Sequence, residues 1–425
     1  MPCERQRQAP ADFKALSMSM AGTERNHIQC GMGFKYRILY KEKRMGDSLE
    51  KGKVSDVYFT DFRTEKDGGL PLKLQTLIKK AGIADIDFDG KFTAIKMHFG
   101  EAGNLSFLRP EYARAVADVI KKLGGKPFLT DCNTLYPGYR KNAVDHLDIA
   151  TQHGFMPITT GCQVIIADGL KGTDEAEVPV PGGEYCKTAR IGRAIMDADV
   201  LISLNHFKGH EATGFGGALK NLGMGCGSRA GKMEQHNSGK PEVDPDECRN
   251  CKVCAKECGS DAISYGTGKA VIDQELCKGC GRCIGACNFD AIYNPNASAN
   301  SDLDCKMAEY AHAVCHGRPC FHINLILDVS PYCDCHEYND APLIPNIGMA
   351  ASFDPVALDQ ASADLCQKAM RFPNTRITDN ERRRGLKITG DLWHDSEPDS
   401  VWDMTLVHAE KIGLGSRKYN LITIK

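Results

Sequence analysis

Apolar residues in this chain come in short, nearly unbroken runs separated by longer amphipathic stretches. Val54–Phe62 (VSDVYFTDF), Phe92–Phe99 (FTAIKMHF), Pro127–Thr130, Gln163–Ala167, Val200–Asn205 (VLISLN) and Phe321–Val329 (FHINLILDV) are runs of this kind. Strands covered on both faces read this way, as in a parallel sheet. Leu72–Ala81 and Arg109–Leu123 instead repeat apolar residues at helical spacing, and Gly124-Gly125 stops the second. The alternation predicts an α/β fold, a mainly parallel sheet with helices on its faces.

One segment breaks the pattern. Over 243–295 the periodicity gives way to a cysteine-rich repeat, closed by Asn294-Pro295-Asn296. The α/β pattern then resumes with a helix over Asp302–Cys315, the Phe321–Val329 strand and a strand or turn at Asn346–Ser352. A further helix starts at Asp354 and runs to Met370; Asp354 suits the N-cap and Pro355 the first helical position. Residues 373–399 are polar, with the run Glu381-Arg382-Arg383-Arg384, and read as a solvated loop. Val401–Lys411 is a closing helix and Tyr419–Ile424 a last strand. The expected organisation is an N-terminal extension (1–44), a first α/β part (45–242), the insert (243–295), a second α/β part (296–372) and a polar loop with closing helix and strand (373–425). The extension is basic, polar and aperiodic, with Met45 behind it, and reads as a disordered tail or an over-extended gene start rather than a functional arm.

Within the insert, C-x2-C-x2-C-x3-C occurs twice, at Cys248, Cys251, Cys254, Cys258 and at Cys277, Cys280, Cys283, Cys287. Asp261-Ala262-Ile263 recurs as Asp290-Ala291-Ile292, and Val243 is echoed by Ile272. Three thiolates at this spacing can wrap three corners of one iron–sulfur cube, and the fourth points away to the other. The reading assigns Cys248, Cys251, Cys254 and Cys287 to one [4Fe–4S] cluster and Cys277, Cys280, Cys283 and Cys258 to a second. Paired zinc sites are the alternative, but the spacing gives crossed ligation rather than a zinc ribbon. The stretch resembles the bacterial two-cluster ferredoxins, with Gly259 and Asn288 where those have proline. It predicts an inserted α+β ferredoxin domain.

Composition narrows the setting. The chain carries 53 basic and 55 acidic side chains, so no field favours nucleic acid or a membrane surface. No apolar run suggests a transmembrane helix or an export signal. Twenty cysteines in such a chain point to reduced thiols and a cytoplasmic setting poor in oxygen.

In open α/β sheets the site lies past the carboxyl ends of the strands. Those ends supply Lys96, His98 and Glu101; Asp131, Asn133 and Thr134; and His206, Lys208 and His210. A glycine-rich stretch follows, with six glycines from Gly214 to Gly227. Such a loop lets a ligand approach the backbone and offers N–H groups to an anion. Gly214, Gly216, Gly217, Gly223 and Gly225 are candidate cofactor-binding positions, with Cys226 among them. Cys333 and Cys335 lie past the end of the Phe321–Val329 strand, as ligands, a redox pair or a plain turn. Together these thiols predict a possible further metal or cluster in the α/β part. Cys305, Cys315, Cys320 and Cys366 read as helix or core thiols.

The segment from Lys208 to Lys232, with Tyr332–Cys335, Asp340-Ala341-Pro342, Asn346-Ile347-Gly348 and Asp354–Asp359, resembles the domain of unknown function family 362. That resemblance implies an iron–sulfur protein without a defined substrate. His210, Gly214, Gly217, Lys220 and His236 are also similar to a motif of the nickel-pincer lactate racemases. It implies an acid/base role for His210, a cofactor anchor at Lys220 and a metal ligand at His236; His98 and His146 are candidates for a further catalytic histidine. Three functions follow. The first is a redox enzyme in which two clusters, served by a ferredoxin-like partner protein, feed electrons to a small molecule at His206, Lys208, His210 and Lys220. The second is an electron carrier or assembly partner, and the third a nickel-dependent racemase. Neither nucleic acid nor membrane is expected as a partner.

Overall fold

The computed structural model describes residues 53–424 apart from 65–67, 136–137, 237–239, 257, 259, 267, 278–282, 284–286, 288, 290, 294–299 and 399. The expected 1–44 extension lies outside the described residues. Strands are numbered in chain order: β1 (Ser55–Asp61), β2 (Phe92–Lys96), β3 (Lys126–Asp131), β4 (Gln163–Ile166), β5 (Glu175–Pro179), β6 (Thr188–Gly192), β7 (Val200–His206), β8 (Lys208–His210), β9 (Gly214–Gly216), β10 (Glu242–Val243), β11 (Ile263–Ser264), β12 (Val271–Ile272), β13 (Ile292–Tyr293), β14 (Cys320–Ile326), β15 (Gly348–Ser352) and β16 (Tyr419–Thr423).

Eight of these form one sheet, in the order β16-β1-β15-β14-β7-β2-β3-β4. Neighbours are parallel except at β15, which runs antiparallel to β1 and β14. The mixed α/β architecture with a mainly parallel sheet is therefore as the alternation predicts. Helices cover both faces. On one, Leu70–Lys80 and Pro110–Lys122 lay Leu74, Leu77, Val116 and Ile120 over Ile95, Leu129, Ile202 and Ile323. On the other, Ala218–Cys226, Asn300–Cys315 and Pro355–Gln367 bring Leu219, Leu222, Ala311 and Ala363 over Ala94 and Leu201. Strand β7 shows why its run is continuous: Val200, Ile202 and Leu204 join the first core and Leu201 the second. Ser203 and Asn205, on the Leu201 side, are buried and hydrogen-bonded.

Three expectations need correction. β2 ends at Lys96 and β14 at Ile326, three residues short of their apolar runs. Residues 373–399 hold the helices Arg376–Arg384 and Leu392–Ser396, because Ile377, Leu392 and Trp393 sink into the core from an otherwise polar stretch. The glycine-rich stretch is not a loop either. β8 and β9 form a hairpin, and Gly217 then opens the Ala218–Cys226 helix, with Arg229–His236 a second helix behind it.

That glycine arrangement follows from close approaches. A Cβ on Gly217 would lie 2.3 Å from Asp359 Oδ1, and one on Gly223 would lie 2.1 Å from the Met307 carbonyl oxygen. Asp359 uses the space to accept from the backbone N–H of Ala218 and Leu219, both at 2.8 Å, capping the Ala218–Cys226 helix from another element. Asp354 keeps the expected cap of its own helix, accepting from the Val356 and Ala357 N–H groups. Replacing Asp359 with Ala should cost roughly 1–3 kcal/mol, since buried donors lose their acceptor. Chemical denaturation checks this, and Gly266→Ala, where a Cβ meets nothing within 4 Å, should leave the midpoint unchanged.

Candidate functional site

The chain steps from β2 outward to β3 and β4, then crosses back to β7 and on to β14. The order therefore reverses between β2 and β7, which is where open α/β sheets bind ligands. A cavity of about 560 Å³ lies at these strand ends. Lys96 from β2, Asp131 from β3, His206 from β7 and His210 from β8 line it. Lys220 and Asn221 enter from the Ala218–Cys226 helix, Lys232 and His236 from the next, and Cys333, Cys335 and His336 from the segment after β14.

Its floor is one end of a mostly buried polar chain running across the sheet. Asn324 Nδ2 donates to Asp359 Oδ1 at 2.8 Å, and Asn205 Nδ2 donates to Asn324 Oδ1 at 2.9 Å. Asn221 Nδ2 donates to Asn205 Oδ1 at 2.7 Å, and Lys96 Nζ donates to Asn221 Oδ1 at 2.7 Å. Lys96 pairs with Asp131 at 2.9 Å, and Arg140 bridges Asp131 and Glu101 at 3.5 and 3.1 Å. Burial pushes the Asp131 carboxyl up, but Lys96, His146 and Arg140 outweigh it and hold the group below its ordinary range. The bare glycine at 225 admits Lys96, whose Nζ would lie 2.4 Å from a Cβ there.

Above this floor sits a lysine–cysteine pair. Lys220 Nζ donates to Cys333 Sγ at 3.1 Å. A hydrogen bond from Cys335, with the charges of Lys220 and Lys208, outweighs burial and holds Cys333 well below the usual thiol range. Burial pulls the Lys220 ammonium down, yet Cys333, Cys335 and Glu211 more than offset it and the net shift is upward. His210 Nδ1 accepts from the backbone N–H of Ala212 and Thr213, both at 3.1 Å, which leaves Nε2 to carry or take the proton. Asp334 orients His206 through Nδ1 at 2.9 Å and lies 3.6 Å from Lys208. Burial, with Lys220 and His210 nearby, pushes His236 down to about 4.

All four candidate catalytic residues, His206, Lys208, His210 and Lys220, thus line one cavity with His236, Cys333, Cys335 and His98. Cys226 does not: it is a buried core thiol beside Cys132, pushed up to about 11 by burial. His146 packs against Phe99 in the interior. Glu211, Asn221, Lys232 and His336 are site residues that pattern reading misses. Two of them directly follow His210 and Cys335, so sequence adjacency was the available signal.

Cysteines of the 243–295 insert are unbridged thiols, with Cys248, Cys254, Cys283 and Cys287 sharing a core with Ile272 and Ile292. Cys280 lies outside the described residues. The two copies pair crosswise: Val243 is opposite Ile292, and Ile263 opposite Ile272. Asp244 N–H donates to the Ala291 carbonyl and Asp273 N–H to that of Ala262, both at 2.7 Å, so equivalent bonds repeat in both halves. Met233 and Leu135 belong to this cysteine-lined core, while Lys232, His236 and Thr134 line the cavity. Lys141 Nζ donates to the Cys287 carbonyl at 3.1 Å.

Fold and site together define an α/β protein with a largely apolar cavity, entered by several charged side chains, at a sheet switch point and a cysteine repeat beside it. The chain belongs to the family described as Domain of unknown function (DUF362), whose profile matches residues 93–364. It is similar to a thylakoid-associated protein of Synechocystis, 27% identical over 169 residues, which are 37% of this chain and 46% of that protein. The match thus spans just under half the length of that relative. Among solved structures it is similar to a Thermotoga maritima protein (10% identity, TM-score 0.35, 70% of this chain and 57% of the other). It is also similar to the lactate racemase apoprotein of Thermoanaerobacterium thermosaccharolyticum (10%, TM-score 0.34, 88% and 85%). At these scores neither likeness bears on function. Among the described residues no helix is long and apolar enough to cross a membrane.

Iodoacetamide at pH 7 should alkylate Cys333 well ahead of the buried core thiols Cys226 and Cys366. Lys220→Met removes the ammonium that favours the thiolate, so Cys333 labelling should slow at pH 7 and recover at higher pH; peptide mass spectrometry reads both.

Proposed function

We propose that this chain is an iron–sulfur electron-transfer protein in which two [4Fe–4S] clusters exchange single electrons with a small molecule held in the cavity. The observation that carries this reading is the shared wall. The Arg229–His236 helix puts Met233 in the cysteine core and Lys232 and His236 on the cavity. The Thr134-Leu135 pair does the same from the end of β3.

The donor set fits the clusters. Unbridged thiols meet N–H and O–H groups, as sulfur ligands commonly do. Ala270 N–H donates to Cys248 Sγ at 3.4 Å, Ala262 N–H to Cys258 Sγ at 3.3 Å, and Tyr265 Oη lies 2.9 Å from Cys254 Sγ. Crosswise strand pairing supports crossed ligation. Cys248, Cys251, Cys254 and Cys287 would hold one cluster, and Cys277, Cys280, Cys283 and Cys258 the other. The clusters supply single-electron storage. Cys251 is exposed and marks the face toward a ferredoxin-like donor or acceptor protein.

The chain's own residues would bind and protonate the small molecule. Lys96, Arg140, Lys208, Lys220 and Lys232 outnumber Asp131 and Glu211 in the cavity wall, which favours an anionic molecule bearing a carboxylate or phosphate. Lys208 and Lys220 would bind it, and His210 Nε2 would move a proton. A nickel racemase is a second reading, favoured by one observation: His210, Lys220 and His236 line the same cavity. A carrier or assembly partner without catalysis would need no such cavity.

Anaerobically purified protein should carry about eight irons and about eight acid-labile sulfides per chain. Cys254→Ser should lower both toward about four, whereas Lys220→Met should leave them unchanged. Zinc without iron would overturn the reading, and stoichiometric nickel lost in His236→Ala would establish the second one.

A further inference from the structure

We infer that Glu211, Cys335 and His336 form a mononuclear site for a divalent transition metal of the zinc or nickel class, opening into the cavity. One ligand atom from each residue, a carboxylate oxygen, a thiol sulfur and an imidazole nitrogen, lies within 4.8 Å of both others. This mixed donor set suits borderline-soft cations and not magnesium or calcium, which take oxygen ligands. Bond lengths of about 2.0–2.3 Å put tetrahedral ligands roughly 3.3–3.8 Å apart, so closure needs a side-chain adjustment of about 1 Å.

Two further observations point the same way. Glu211 Oε1 accepts from His336 Nε2 at 2.9 Å, while Oε2 is buried with no hydrogen-bond partner. A carboxylate oxygen in that position lacks what a cation would supply. Side chains of His336 and Glu211 keep 32% and 37% exposure, and the His336 ring is oriented by stacking on Tyr338. The backbone beneath them is fixed: His336 N–H donates to the Cys333 carbonyl at 3.1 Å, and Asn104 Nδ2 to the His336 carbonyl at 3.1 Å.

All three residues line the cavity, so the fourth coordination position faces bound small molecules next to His210 and Lys220. Three protein ligands with an open fourth position is the arrangement of catalytic rather than structural metals. On binding, Cys335 releases its S–H proton to solvent, the Nε2 proton that His336 shares with Glu211 shifts to Nδ1 or leaves to solvent, and the metal replaces the Glu211–His336 hydrogen bond. The metal would then take a carboxylate or carbonyl oxygen of the molecule in the cavity. The site goes beyond the iron–sulfur reading, since none of its ligands belongs to the cysteine repeat.

The test uses the full anaerobically purified chain, freed of loose metal with EDTA and titrated separately with Zn²⁺ and Ni²⁺ by calorimetry. Elemental analysis of zinc, nickel and iron accompanies each titration. One equivalent of Zn²⁺ or Ni²⁺ should bind with iron content unchanged. Glu211→Gln, Cys335→Ser and His336→Gln should each weaken binding more than about a hundredfold, beyond the usual cost of losing an outer-shell partner. Cys226→Ser should not change it. Absence of a binding equivalent, or three variants that bind as tightly as the unaltered chain, would overturn the site. Loss of iron would count against the cluster reading alone.

Discussion

The molecule is organised around one buried chain of polar contacts that crosses the sheet from Asp359 through Asn324, Asn205, Asn221 and Lys96 to Asp131, Arg140 and Glu101. All its members but the half-buried Asn221 are buried, so they depend on partners in the protein. The chain ties β14, β7, β2 and β3 to the Ala218–Cys226 helix at one level of the sheet. Removing one side chain takes a partner from each of its neighbours, and several members are held by further bonds to the backbone. That is a stiff floor for a cavity, and the same helix carries Lys220 one residue before Asn221.

The glycines are the other half of that constraint. Gly217 makes room for the Asp359 carboxylate, Gly223 for the Met307 carbonyl and Gly225 for the Lys96 ammonium. A run that reads as a loop open to a ligand is a tightly packed hairpin and helix. Its openness is spent on the protein's own groups. Charge in the cavity follows from this packing: Lys220 Nζ is held 3.1 Å from Cys333 Sγ, with Cys335 and Glu211 also acting on it.

Much of the fold was legible because a sheet covered on both faces needs continuous apolar runs, and β7 and β14 have them. Strand ends pointed to residues that line the cavity, since His206, His210 and Lys96 fall where the periodicity stops. The Arg376–Arg384 and Leu392–Ser396 helices were not legible, because a few anchors such as Trp393 fix them and no periodic stripe does. Glu211 and His336 carry no motif of their own for a related reason: only the folded turns bring them together with His210 and Cys335. The repeat was the strongest signal in the chain, and its internal symmetry recurs in the strand pairing of Val243 with Ile292 and Ile263 with Ile272.

Reductive titration of the anaerobically purified chain, followed by electron paramagnetic resonance, tests the central claim most directly. The account predicts uptake of about two electrons per chain, each appearing as a paramagnetic [4Fe–4S] centre, with Cys283→Ser retaining only one. A chain that takes up no electron and stays diamagnetic would contradict it.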